Sequence, residues 1–168
     1  MKTVTLIRHA KSDWSKSILK DHDRDLAERG ERDIFKIANI ILNKGISPDL
    51  IMTSSALRAK KTAEIFSAVI SYKVDKIKIK EQLYLADHLT IINEIVTQDE
   101  KIKNIILFGH NPGFTDAVNF FHNKNNQLDN LPTSGAVAFE FNCSSWSYIK
   151  KAKADFIYFE YPKKFQRT

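Results

Sequence analysis

The chain has 168 residues, 43% hydrophobic and 27% charged, which is enough for one domain with a real core, so a single domain over residues 1–168 is expected. A formal net charge of +6 at pH 7 favours acidic partners such as phosphorylated molecules, acidic protein surfaces or nucleic acid, and selects none of them. One cysteine, Cys143, excludes an internal disulfide and suits a reducing cytoplasm, and no segment approaches the roughly 18 apolar residues of a membrane span.

The first ten residues hold too short an apolar stretch for a signal peptide. Within them Val4–Ile7 predicts a short buried strand that stops at Arg8 and His9. Residues 11–25 are polar and charged and read as a long loop. A helix is expected from about Ala27, with Ile34, Ile37, Ala38, Ile41 and Leu42 at helical spacing and Gly45 ending the run. Gly30 fits its first turns poorly. Pro48 leads into a strand over Leu50–Thr53, and a helix over 56–71 follows, with Ala59, Ala63, Phe66 and Ile70 on one stripe.

Residues 75–81 alternate as a strand, and 89–99 read as a helix. Ile105–Phe108 is the clearest strand and ends in Gly109 and His110. A helix over 114–123, a loop over 123–135, strands over 136–142 and 147–162 and a basic tail complete the chain. Strands alternating with helices predict an α/β fold, a three-layer α/β/α sandwich with a mostly parallel central sheet. The last two strands have no helix between them and are expected to pair as an antiparallel hairpin at one end.

Two apolar strands end in histidine, and ligands of an open α/β sheet bind at the carboxyl ends of its strands. His9 and His110 are therefore expected at one rim. Arg58, early in the helix after the Leu50 strand, is expected near the same rim beside Arg8. Arginine forks match phosphate oxygens, and helix N-termini add backbone N–H groups. Such a pocket suits a phosphoryl group. Taken singly, each residue has an ordinary reading: a histidine at a strand end, or a solvated helix arginine.

"RHA" after the first strand, "RDLAERG", "SSALRAKKTA" and "GHNPG" occur in that order. Together they resemble the histidine phosphatase superfamily, which includes the phosphoglycerate mutases, and Arg8-His9-Ala10 resembles the opening of its SixA-type phosphohistidine phosphatases. The resemblance runs from residue 1 to about residue 115 and implies a phosphoglycerate mutase-like fold. It implies that His9 is the transiently phosphorylated nucleophile, that Arg8 and Arg58 clamp the phosphoryl oxygens, and that His110 donates to the transferring group. Ser12 and Ser15 stand where the family often has threonine and asparagine, which makes Ser15 a candidate phosphate contact.

Neutral imidazole is a nucleophile at neutral pH without a separate base, and phosphoryl transfer needs mainly positioning and charge stabilisation. This residue set requires no metal or cofactor. Ester substrates call for a general acid, and Glu81 and Asp87 are the candidates, though Asp87 also reads as the N-cap of the helix after it. Phosphohistidine has an easier leaving group. The expectation is a metal-independent, cytoplasmic phosphohistidine phosphatase acting on a phosphorylated protein through an open, shallow site. No aromatic-basic motif for nucleic acid is present. The alternatives are a phosphatase for small phosphate monoesters and a non-catalytic phosphate-binding module. The oligomeric state is not set by the sequence.

Overall fold

Residues 1–122 and 127–165 are described by the computed structural model. Six strands form one sheet among them: β1 (Lys2–Arg8), β2 (Leu50–Ser54), β3 (Lys78–Lys80), β4 (Asn104–Gly109), β5 (Ala136–Phe141) and β6 (Ala154–Glu160). The helices are α1 (Glu28–Asn43), α2 (Leu57–Val69), α3 (His88–Val96) and α4 (Gly113–Phe121). The spatial order of strands is β3-β2-β4-β1-β5-β6. The first four strands are parallel, β5 runs antiparallel to β1, and β6 pairs antiparallel with β5 as the expected edge hairpin.

Alternate strand residues point to opposite faces, so a strand buried on both faces is apolar throughout. Val4, Leu6, Ile105 and Leu107 join one core with Ile91 and Ile95 of α3 and Phe114 and Val118 of α4. Ile7, Ile51, Ile106 and Phe108 join a second core with Ile34 and Ile41 of α1 and Ala63 and Phe66 of α2. The result is the three-layer α/β/α sandwich expected from the alternation. None of the described helices is long and apolar enough to cross a membrane.

In α1, Ile34, Ile37, Ala38 and Ile41 are buried, but Leu42 is 41% exposed. At 3.6 residues per turn Leu42 stands about 80° round from Ile34, at the edge of the stripe. Gly30 proves to be a packing requirement. A Cβ there would lie 2.2 Å from the carbonyl oxygen of Lys11, two residues past His9. That carbonyl also accepts the N–H of Ala27 at 2.9 Å. Gly30→Ala is expected to cost about 1–3 kcal/mol, the usual range for overpacking, measured by urea denaturation.

Two strands are shorter than the sequence pattern suggests. Val74–Lys76 forms a 3₁₀ turn, which leaves only three residues of β3 to pair with β2. Trp146–Tyr148 forms another, closed by the Ser147 N–H donating to Ser145 Oγ, and β6 begins only at Ala154. Both segments carry apolar residues at strand-like spacing that local turns use instead. Within the expected loop over 123–135, residues 123–126 lie outside the described residues, as do the last residue expected of α4 and residues 166–168 of the basic tail.

Candidate active site

β1 and β4 are parallel neighbours, with Arg8 opposite Gly109. The next residue of each, His9 and His110, therefore leaves the sheet beside the other. The His9 N–H donates to the Gly109 carbonyl at 2.9 Å, and the two imidazole centroids are 5.1 Å apart. β2 ends at Ser54 on the same rim, and α2 carries Arg58 in its first turn.

Hydrogen bonds fix the tautomer of each ring. His9 Nδ1 lies 2.8 Å from the Ala10 carbonyl, which can only accept, so Nδ1 carries the proton and Nε2 keeps its lone pair. Arg58 Nε faces that lone pair at 3.3 Å. Arg58 Nη2 donates to His110 Nδ1 at 3.3 Å. A guanidinium cannot accept, so the His110 proton sits on Nε2, which donates to Ser54 Oγ at 2.7 Å. The outer edge of Arg58 donates to the Asp21 carbonyl at 2.6 Å and to Asp21 Oδ2 at 2.9 Å. Thr62 ties the two segments together, accepting the Ala10 N–H at 3.0 Å and donating to the Arg58 carbonyl at 2.6 Å.

Arg8 completes the group. Its Nη1 donates to the Leu131 carbonyl at 2.9 Å, while its buried Nε has no hydrogen-bond partner among the described residues. Arg58 thus reaches two imidazoles that are 8% and 2% exposed, and Arg8 acts on both through its charge. Burial drives the His9 pKa down from 6.5 to about 4, against the hydrogen bond to Ala10, with Arg58 and Arg8 adding repulsion. Burial also drives His110 down from 6.5 to about 3, helped by His9 and Arg58. At neutral pH the rim holds two neutral rings, two cations and the Asp21 carboxylate paired with Arg58, a net positive charge. That balance suits an anion seated against a nucleophilic Nε2.

The family model of the histidine phosphatase superfamily (branch 1) matches residues 4–84, a span that contains Arg8, His9 and Arg58. The match to the histidine phosphatase superfamily spans just under half of the chain. A solved SixA structure from Agrobacterium tumefaciens superposes with a TM-score of 0.83 at 25% identity, covering 96% of this chain and 98% of that one. A chloroplastic protein of Arabidopsis thaliana is 34% identical over 125 residues, which is 68% of this chain but only 56% of that protein. A protein of Mycobacterium leprae is 24% identical over 167 residues, 94% of this chain and all of that one.

The other candidates form no hydrogen bond with the side chains of Arg8, His9, Arg58 or His110. Ser15 is exposed, its hydroxyl donating to Asp13 Oδ2 at 2.9 Å and its N–H to Asp13 Oδ1 at 2.8 Å. Glu81 is exposed at the start of a 3₁₀ turn. Asp87 caps α3, accepting the Thr90 N–H at 2.8 Å, and that bond holds its carboxyl below the usual range, the wrong direction for a proton donor at neutral pH. Trp14 is exposed and stacks under the Arg24 guanidinium, 3.4 Å from the ring centroid.

Three contributors carried no signal in the sequence: Asp21, Tyr84 and Ser54. Asp21 accepts from Tyr84 Oη at 2.7 Å as well as from Arg58, and the Tyr84 ring meets His110 edge-on at 5.5 Å. His22, in the same turn as Asp21, bonds Ser55 Oγ at 2.9 Å. The Asp21–Asp23 turn is tied to Arg58 by the bonds of Asp21. Burial pushes the Asp21 carboxyl up, but hydrogen bonds from Tyr84 and Arg58 outweigh it and hold the group below its usual range. Asp21→Ala is expected to lower kcat/KM for an aryl phosphate about tenfold by freeing the guanidinium, and Asp21→Asn, which keeps an acceptor, to lose less.

The two depressed imidazoles also set an acid limit on stability. An unfolded chain protonates them near pH 6.5, whereas the fold leaves both neutral down to about pH 4, so the unfolded form binds more protons across that interval. Stability is therefore complete above pH 6.5 and drains as pH falls towards 4. At about 1.4 kcal/mol per pKa unit, His9 alone accounts for about 3 kcal/mol. The urea midpoint is expected to drop over this range, and His110→Gln to flatten the slope.

Proposed function

We propose that the chain, as a single domain over residues 1–168, is a metal-independent phosphatase that hydrolyses protein phosphohistidine through a phosphorylated His9. The observation that carries this is the His9 ring: its Nδ1 proton is tied to Ala10, and its free Nε2 faces Arg58. Nε2 attacks phosphorus while the bond from phosphorus to the substrate imidazole breaks. The substrate ring, protonated on its other nitrogen, departs neutral. Water then attacks phospho-His9, releasing inorganic phosphate and restoring the imidazole. Arg8 and Arg58 hold the equatorial oxygens, and their charge is fixed before the reaction begins.

A phosphohistidine substrate is favoured over an ester by the state of the two acid candidates. Asp87 is committed to capping α3, and Glu81 is an exposed carboxylate. An ester needs a proton delivered to its alkoxide, whereas a neutral imidazole does not. The Agrobacterium tumefaciens protein named as a phosphohistidine phosphatase supports the same reading.

The test is turnover of p-nitrophenyl phosphate in the presence of a chelator, followed by a comparison of a phosphohistidine peptide with a panel of sugar phosphates. Chelator-resistant, vanadate-sensitive turnover is expected, with kcat/KM at least about tenfold higher for the peptide. Higher values for the sugar phosphates select a small-ester phosphatase. Phosphate binding without turnover selects a non-catalytic module.

A further inference from the structure

On the Arg8 side of the rim lies a cleft of about 400 Å³, between residues 130–133, the first turns of α1 and the turn that follows β6. Its charged lining is Arg8, Lys11, Arg29 and Lys163, against the single carboxylate of Asp33. Asp33 is already engaged by Arg29, 3.6 Å from Nε to Oδ2. Lys11 and Lys163 form no ion pair among the described residues. Thr133 adds a hydroxyl to the wall. The cleft is large enough for one or two side chains and carries an uncompensated positive charge.

Arg8 belongs to the cleft and to the histidine cluster at once. It lines the cleft, and its charge depresses both His9 and His110. A substrate whose phosphoryl group sits against His9 must carry the rest of its chain away from the rim. The route past Arg58 is filled by Asp21 and Tyr84. The route past Arg8 is the cationic cleft.

We propose that this cleft is a subsite for an acidic side chain of the substrate protein, so that phosphohistidines flanked by Asp or Glu are preferred. The proposal rests on the phosphohistidine reading of the His9 site. The flanking carboxylate would pair with Lys11 and Lys163, which come from opposite ends of the chain and meet only in the fold. Exposed pairs of this kind are screened by salt, so the preference is expected to shrink as ionic strength rises.

The experiment compares a phosphohistidine peptide flanked by glutamates with the same peptide flanked by glutamines, on the unaltered protein and on the double variant Lys11→Gln, Lys163→Gln. On the unaltered protein the acidic peptide is expected to have a KM about tenfold lower at equal kcat. The double variant is expected to lose that difference while keeping its kcat/KM for p-nitrophenyl phosphate. Equal KM values for the two peptides, or a preference that survives in the double variant, would overturn the subsite. A preference for sugar bisphosphates over monophosphates without any peptide preference would overturn it too, by assigning the cleft to a small anion.

A second readout separates the subsite from the reaction assigned to His9. The unphosphorylated glutamate peptide is expected to inhibit p-nitrophenyl phosphate turnover more strongly than the glutamine peptide, and only when Lys11 and Lys163 are present. If phosphohistidine peptides are not hydrolysed but this inhibition holds, the phosphohistidine reading has failed and the cleft has not. If the peptides are hydrolysed without preference and without selective inhibition, the cleft has failed and the reading stands.

Discussion

Replacing His9 with alanine is expected to remove turnover of both p-nitrophenyl phosphate and a phosphohistidine peptide, lowering kcat by about 10⁴-fold or more. The substitution removes the ring nitrogen whose lone pair faces Arg58 Nε and to which the phosphoenzyme bond is assigned. The backbone at this position keeps its tie to Gly109, so the sheet edge survives. Arg8 and Arg58 also survive, so phosphate and vanadate should still bind. The loss belongs in kcat, and a large rise in KM would instead mean that the imidazole is a binding group. A second reading of the same experiment is chemical. The unaltered protein, quenched during turnover, should carry an acid-labile, alkali-stable phosphoryl group on residue 9, and the variant should carry none. Unchanged turnover in His9→Ala removes the nucleophile assignment altogether.

How far the sequence alone reaches depends on which contacts are local. β4 is legible because Ile105–Phe108 is uninterrupted and apolar, and a strand buried on both faces has that signature. The rim follows from it: two parallel neighbours ending in histidine deliver both rings to one edge, and β1–β4 pairing puts Arg8 opposite Gly109. The start of β6 is not legible, because no glycine or proline separates Ser147–Lys153 from the strand, while the Ser145 hydroxyl, by accepting from Ser147, turns the chain before Ala154. Gly30 looks like a defect in α1 until the Lys11 backbone is seen against it.

Asp21 and Tyr84 show the same limit within the site. They stand 37 and 63 residues from their bonded partners, Arg58 and Asp21 respectively. "KDHDRD" has the composition of a solvated loop, and no periodicity links it to a tyrosine near the end of β3. Only the folded sheet, with β2 and β3 side by side, brings the turn, the helix and Tyr84 to one place. Two other legible candidates are engaged locally: Ser15 finds Asp13 two residues away, and Asp87 finds the N–H of Thr90.

Replacing Arg58 is the second large effect expected. Its guanidinium, 4% exposed, reaches both imidazoles with one edge and Asp21 with the other. Loss of one preorganised donor to a developing charge costs about 10²–10³ in rate, and Arg58→Ala is expected to fall in that range or beyond for kcat/KM. Arg58→Lys keeps the charge but has neither the planar fork nor the reach to hold Asp21 and two rings at once. It should recover little, and recovery to near the unaltered rate would mean that charge alone is used. The variants differ in a further readout. Arg58 is one reason the His9 and His110 pKa values are low, so removing its cation lets both rise towards 6.5. The acid limb of kcat/KM, expected near pH 4 in the unaltered protein once the substrate's own ionisation is allowed for, should move upward in Arg58→Ala and much less in Arg58→Lys. A structural defect alone would lower the rate of both without separating their pH profiles, whereas an arginine that holds an anion and keeps its nucleophile unprotonated must do both.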